Sequence, residues 1–320
     1  GEQGYPFDNW SKWGGWKNKK LAEGTGFFTK YKADGKWWLA DPDGYAFFSA
    51  GPDCVNVPVD CRVDGIEKWL DWLPDEKEPA YAEMFSPDRV FKDRKRNAKM
   101  FSYAGANLYR VFGEDWYQIW KKMMAGQLMQ MGMNTLGNWS DQRLFDNTPI
   151  PYVTSLPEFP ETKKKIFRDF PDVLSDEYKE NAKNNAKALA ARKDDPMMIG
   201  YFLRNEPSWA FVDNLVLADE VLYNPERTVC KEKLIEALKE KYQTVEALNT
   251  AWNTKFTDFD DLYQPIRDAS AKSEAAKEDQ KTFSKEMLCA YVEIPSKACR
   301  EVDPNHMILG MRWAWISDPD

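Results

Sequence analysis

The pair Asn205-Glu206 stands at the carboxyl end of a short apolar run, Met197 to Leu203, which follows Pro196 and closes before Pro207. A run of that length between breakers reads as a strand buried on both faces. A carboxylate at the end of a buried parallel strand lies where α/β barrels keep their chemistry. Glutamate there can give and take a proton at a glycosidic oxygen, and the adjacent asparagine can hydrogen-bond a neighbouring sugar hydroxyl. Asn-Glu-Pro is also ordinary turn chemistry, so the rest of the chain has to decide.

Other chemistries lack their residues. The chain has a single histidine, His306, and five scattered cysteines, Cys54, Cys61, Cys230, Cys289 and Cys299. A Ser-His-Asp triad, a Cys-His pair or a two-histidine metal site must use His306 or do without. His306 opens the apolar run HMILGM, which favours a structural place. The cysteines show no Cys-x-x-Cys spacing and no Cys/His cluster, so a structural zinc is not expected; no cofactor is expected either, and a calcium held by Asp and backbone oxygens stays open. Cys54 and Cys61 could pair across a loop in an exported protein, while the odd count favours free thiols. Acid–base work therefore falls to carboxylates.

A net charge of −8 and a pI near 5.1 argue against nucleic acid as a partner. The 320 residues, 43% hydrophobic, suit one barrel with insertions. No apolar run is long enough to span a membrane. The first residues, GEQGYPFDNW, lack a signal-peptide pattern, so the expected secreted or periplasmic location rests on a leader removed ahead of Gly1. The 14 Trp, 14 Tyr and 18 Phe offer a large aromatic surface that suits stacking on sugar faces, although most of these rings must fill the core and cap loops. Neither a dinucleotide nor a phosphate-binding glycine motif is present. The sequence sets no oligomeric state.

The elements that must position these residues follow in order. Residues 1–26 read as a loop-like lead-in. Asp34-Gly35 and Asp43-Gly44 punctuate an antiparallel meander over 26–49, whose last piece, from Tyr45, is expected to become the first barrel strand. We therefore divide the chain into a lead-in with meander, 1–44, and a barrel domain, 45–320. Residues 52–84 read as a long loop. Ser86-Pro87-Asp88 predicts a helix start running to Tyr103, and a second helix spans 114–131 before Gly132. Asn134–Trp139 and Pro151–Leu156 are the expected second and third strands. A Ser175-capped helix reaches Lys193, and Met197–Leu203 is the fourth strand. Helices follow over 213–223, 229–242 and, capped by Thr244, 245–252. Residues 268–281 are helical or mobile, a long helix covers Phe283 to Val302, and His306–Trp313 is the fifth strand. Strand and helix alternate, the mark of a parallel sheet.

Several stretches then add up. GFFTKYKADGKWWLADPDGYAFFSAG, GMNTLGNWSD, TPIPYVTSLP, IGYFLRNEPSW, KEKYQTVEALNTAWNTKF and DPNHMILGMRW, in that order, resemble successive landmarks of the β-agarase and β-galactosidase-like families of glycoside hydrolase clan A. The resemblance implies a (β/α)8 TIM barrel that cleaves β-linked sugars with retention. It further implies Glu206 as general acid/base and Asn205 as the contact to the sugar 2-hydroxyl. By position at strand ends, Asn138, Trp139, Trp209, Arg312 and Trp313 are candidate substrate-binding residues.

Two departures from the family pattern matter. Relatives often carry Asp before the Asn-Glu pair, where this chain has Arg204. That guanidinium could hold a carboxylate ionised, bind an acidic sugar, or pair within the barrel wall. A retaining enzyme also needs a second carboxylate about 5 Å from the first. In this clan it ends the seventh strand, and only five strands are read here, so the nucleophile is expected beyond Asp320. The sequence thus supports a retaining glycoside hydrolase acting on β-linked, galactose-containing polysaccharide. The alternative is a carbohydrate-binding barrel that lacks the nucleophile.

Overall fold

The computed structural model describes residues 4–59, 61–87 and 98–315. It divides into two units, one of residues 1–153 with 196–199, the other of residues 154–195 with 200–320.

In the first unit, β1 (Trp16–Lys20), β2 (Thr29–Ala33), β3 (Lys36–Ala40) and β4 (Tyr45–Phe47) form an antiparallel sheet in the order β1-β4-β3-β2. Ala33 pairs with Lys36, leaving a two-residue turn in which Asp34 (φ 52°) and Gly35 (φ 73°) are both left-handed. That is the hairpin turn Asp-Gly favours. The buried Asp41 carboxylate fixes the next turn, accepting from Ser11 Oγ (2.5 Å), Asp43 N (3.0 Å) and Tyr45 N (2.9 Å).

Two expectations fail here. The lead-in contains a strand, β1, which has no alternating apolar pattern because it is a mostly exposed, lysine-rich edge. The Tyr45 piece belongs to this sheet, pairing antiparallel with both β1 and β3. Only beyond it does the chain meet the next expected strand, where Ala50 O accepts from Asn134 N (2.8 Å) and Thr135 N (3.1 Å).

A second antiparallel sheet, β5 (Cys61–Arg62), β6 (Phe85–Pro87) and β7 (Lys99–Phe101), has the order β5-β7-β6. The helix expected from Ser86 to Tyr103 is thus replaced at both ends by strands; its middle, 88–97, lies outside the described residues. Ser-Pro is an ambiguous start, because proline also suits a strand edge. Phe85 meets Phe101 at 4.6 Å between ring centroids. The helix instead begins after Ser102, whose Oγ accepts from Gly105 N at 3.0 Å, giving α1 (Tyr103–Phe112). Then follows α2 (Trp116–Gln130), ended by Gly132 at φ 76°. The Asn134–Trp139 stretch is not a regular strand; its Leu136 makes one parallel bridge to Tyr152.

From β8 (Tyr152–Ser155) the chain passes through the β9 (Lys165–Phe167) and β10 (Phe170–Pro171) hairpin to α3 (Asp176–Ala186), capped by Ser175. A tighter turn to Ala191 completes that helix, and β11 (Met198–Asn205) follows. Next come α4 (Leu217–Tyr223), α5 (Val229–Tyr242) and α6 (Val245–Trp252), the last two capped by Thr228 and Thr244. The final elements are α7 (Glu274–Val302) and β12 (Met307–Arg312). Helix α7 starts before the expected Phe283. Ser273 caps it, and Asp279 draws its polar first turns into the core by accepting from Tyr242 Oη (2.7 Å), Trp252 Nε1 (2.8 Å) and Lys241.

Strands β12, β11 and β8 form one sheet in that order, with β11 and β12 parallel. Gly200 is required at that pairing, since a Cβ there would lie 2.3 Å from Met307 O. The fold is mixed α/β. Among the described residues no sheet closes on itself.

Candidate functional site

Glu206 leaves the end of β11 with its side chain exposed. Its backbone is left-handed, φ 43°, a conformation that glutamate adopts only where the surroundings enforce it. The enforcement is visible on both sides. Glu206 N donates to Arg312 O (2.9 Å), extending the β11–β12 ladder through the last residue of β12. After Pro207 the chain makes a tight turn, Ser208–Ala210, whose first amides are taken by Asp169. Oδ2 of Asp169 accepts from Ser208 N (2.9 Å), and Oδ1 from Trp209 N (2.8 Å). Asn205, half-buried, is the last residue of β11 and pairs in register with Arg312.

Arg204 does not face an empty site. Its Nη2 donates to Asp169 Oδ2 at 2.5 Å, its Nη1 to Tyr291 Oη at 3.2 Å, and its guanidinium lies 5.1 Å above the Phe159 ring. The two side chains of the ion pair are 15% and 22% exposed. Burial alone pushes the Asp169 carboxyl up. The hydrogen bonds from Ser208, the Arg204 charge and the Trp209 amide outweigh burial and hold it below the usual carboxylate range. The Tyr291 hydroxyl is pushed up to about 12, chiefly by burial, with Arg204 and Trp209 opposing.

Trp209 is buried. It meets Phe170 at 5.1 Å, Tyr291 at 5.5 Å and Trp313 at 5.6 Å, each edge to face. Phe170 stacks on Tyr291 at 5.1 Å. This cluster forms the floor of the loop that carries Glu206. Aromatic surface facing solvent comes from Trp313, Phe211 and Trp315. Trp315 Nε1 donates to Asp213 Oδ1 (3.1 Å), tying the segment after β12 to the loop after β11. Arg312 lies 5.5 Å over the Phe202 ring.

Arg204, Asn205, Glu206, Trp209, Arg312 and Trp313 thus share one unit, while Asn138 and Trp139 belong to the other. Asn138 is buried. Its N–H donates to Asp53 Oδ1 (2.9 Å), and its carbonyl accepts from Cys54 N (2.8 Å). Trp139 is exposed and left-handed at φ 60°. His306 is structural: Nδ1 meets Asp303 Oδ2 and Nε2 meets Asp195 O, both at 2.8 Å and fully buried from solvent on the His306 and Asp303 side chains. All five cysteines are free thiols, Cys54 and Cys61 included.

Asp169 and Tyr291 escaped the sequence reading. Asp169 occupies the two-residue turn between β9 and β10, beside Arg168 at φ 47°. The flanking KIF and FP runs could have flagged a hairpin. Nothing local connects that turn to Glu206, 37 residues on.

The family model described as Beta-galactosidase matches residues 153–320. The chain is 27% identical to Beta-agarase B of Vibrio sp. (strain JT0107), over 97% of its own length and 36% of that protein. It is 26% identical to Beta-agarase A of the same strain, over 94% and 33%. Among solved structures it superposes on an agarase, AgWH50C, with a TM-score of 0.82 and 25% identity, covering 98% of this chain and 49% of the other. On PfGH50B the TM-score is 0.83 with 25% identity, again over 98% and 49%. The chain therefore spans about a third of the curated relatives' length and about half of the solved ones.

Proposed function

The chain belongs to the β-galactosidase family of glycoside hydrolases, and from that membership we propose that it cleaves a β-linked, galactose-containing polysaccharide of the agar type with retention. The observation that carries the reading is Glu206: an exposed carboxyl on a left-handed backbone, at the end of a parallel strand and next to Asn205. Glu206 protonates the leaving oxygen and then, as carboxylate, takes a proton from the attacking water. Asn205 donates to the sugar hydroxyl beside the breaking bond. Trp313 offers its exposed face to a sugar ring. Arg312 is a further proposed contact to the chain of sugars. Trp209, being buried, acts from beneath.

We place these parts in a (β/α)8 barrel of which β8, β11 and β12 are wall strands, supported by the likeness to the agarase structure. We place the second carboxylate in sequence after Asp320, in keeping with relatives of greater length. A polymeric substrate too large to enter a cell puts the enzyme outside the cytoplasm.

The test is Glu206→Gln in the full-length protein, assayed on agar oligosaccharides and on aryl galactosides with good leaving groups. General acid catalysis is typically worth about 10²–10⁴ in rate. We expect a loss of that size on oligosaccharides, with kcat/KM largely kept where the leaving group needs no proton. Oligosaccharide hydrolysis within a few-fold of wild type would overturn the assignment. Tight oligosaccharide binding with no hydrolysis even in the wild type would identify a carbohydrate-binding protein.

A further inference from the structure

Asp169 grips the chain on both sides of Glu206. Two residues before it, Arg204 is held through Nη2 at 2.5 Å; two and three residues after it, the Ser208 and Trp209 amides are held at 2.9 and 2.8 Å. Both carboxylate oxygens are used, so a single side chain fixes the strand end and the turn beyond it. Between the two grips lies a glutamate on a left-handed backbone, a conformation that costs energy and persists only where its surroundings over-determine it. The Arg312 carbonyl supplies one opposing hold through Glu206 N. Asp169 itself is rigidly mounted: it sits in a two-residue hairpin turn, and the adjacent Arg168 donates from Nη1 to Ser208 O (3.0 Å), closing the same turn a second time. The following residue, Phe170, stacks on Tyr291, whose hydroxyl accepts from Arg204.

Resting on the reading of Glu206 as acid/base, we propose that Asp169 is a positioning residue for it: the clamp on Arg204, Ser208 and Trp209 holds the Glu206 carboxyl at the glycosidic oxygen. Arg204 is then the clamp's anchor. Its charge is taken up by Asp169, which removes the need for an anionic substrate group.

A positioning residue acts through the proton transfer, so its loss shows where a proton is needed. Asp169→Asn keeps the volume but offers one acceptor oxygen in place of two and turns an N–H toward a donor. Misplacing a reacting group by about 1 Å can cost about 10²-fold. In the full-length protein we expect Asp169→Asn to lower kcat/KM on oligosaccharides by about 10–100-fold, while kcat/KM on aryl galactosides with good leaving groups stays within about three-fold. Arg204→Met should do the same more weakly, and the double variant should be no worse than Asp169→Asn, because the two act as one unit. Asp169→Glu, which keeps the charge on a longer arm, is read in the same assay in case the asparagine variant melts. An equal loss on both substrate classes, or no loss on either, overturns the inference while leaving Glu206 untouched. Failure of Glu206→Gln to show the leaving-group dependence removes the reading beneath it instead.

Discussion

Lys231 is a buried cation of this unit, and its consequence can be measured. Its side chain is fully buried within α5. Nζ donates to Leu222 O (3.4 Å) and Asn224 O near the end of α4 and to Tyr263 O (3.4 Å). No carboxylate is among these partners. Burial, with a smaller contribution from the Arg227 charge, lowers its pKa from 10.5 to about 8. That displacement corresponds to about 3 kcal/mol of destabilisation when the folded protein carries the charge. Between about pH 8 and pH 10.5 the unfolded chain keeps a proton that the folded chain has released. Raising pH through that window therefore stabilises the fold, and below it the full cost is present. Urea unfolding of wild type and Lys231→Met, at pH 7 and again at pH 10.5, isolates this group because the other titrations cancel in the difference. The gap should move by about 3 kcal/mol in favour of wild type, with unchanged m values. Parallel pH profiles for the two proteins would refute the argument, since they would mean that Lys231 has the same proton affinity folded and unfolded.

Two further outcomes concern strands β11 and β12 and metal. Gly200→Ala forces a Cβ to 2.3 Å from the Met307 carbonyl, so thermal denaturation should show a loss of about 1–3 kcal/mol, as overpacking usually does; an unchanged melt would mean that β11 and β12 can part at no cost. Among the described residues no three of His, Cys, Asp or Glu are grouped to hold a metal. Incubation with a chelator should leave both the melting temperature and oligosaccharide hydrolysis unchanged, and a reproducible drop would reveal an ion held by other oxygens.

What the sequence determined by itself was local. Ser175, Thr228 and Thr244 each cap the helix expected after them, because a cap needs only one side chain and an amide two or three residues on. Asp34-Gly35 makes its turn for the same reason: both left-handed conformations are native to those two residues. The buried strand ending in Asn205 was legible from its unbroken apolar run between prolines. The tertiary structure decided whatever depended on a distant partner. Tyr45–Phe47 is an apolar run that reads as a strand, but only its neighbours β1 and β3 determine which sheet takes it. Ser86-Pro87 carries a helix-start signature, yet the open hydrogen-bonding edge of β7 claims it as a strand. Residues 274–282 are polar enough to read as surface, and the buried Asp279 gives them a core partner in Trp252 and Tyr242. Glu206 was visible as a residue type at a strand end. The clamp around it arises because a hairpin turn 37 residues earlier in the chain folds back to place Asp169 against two amides and a guanidinium.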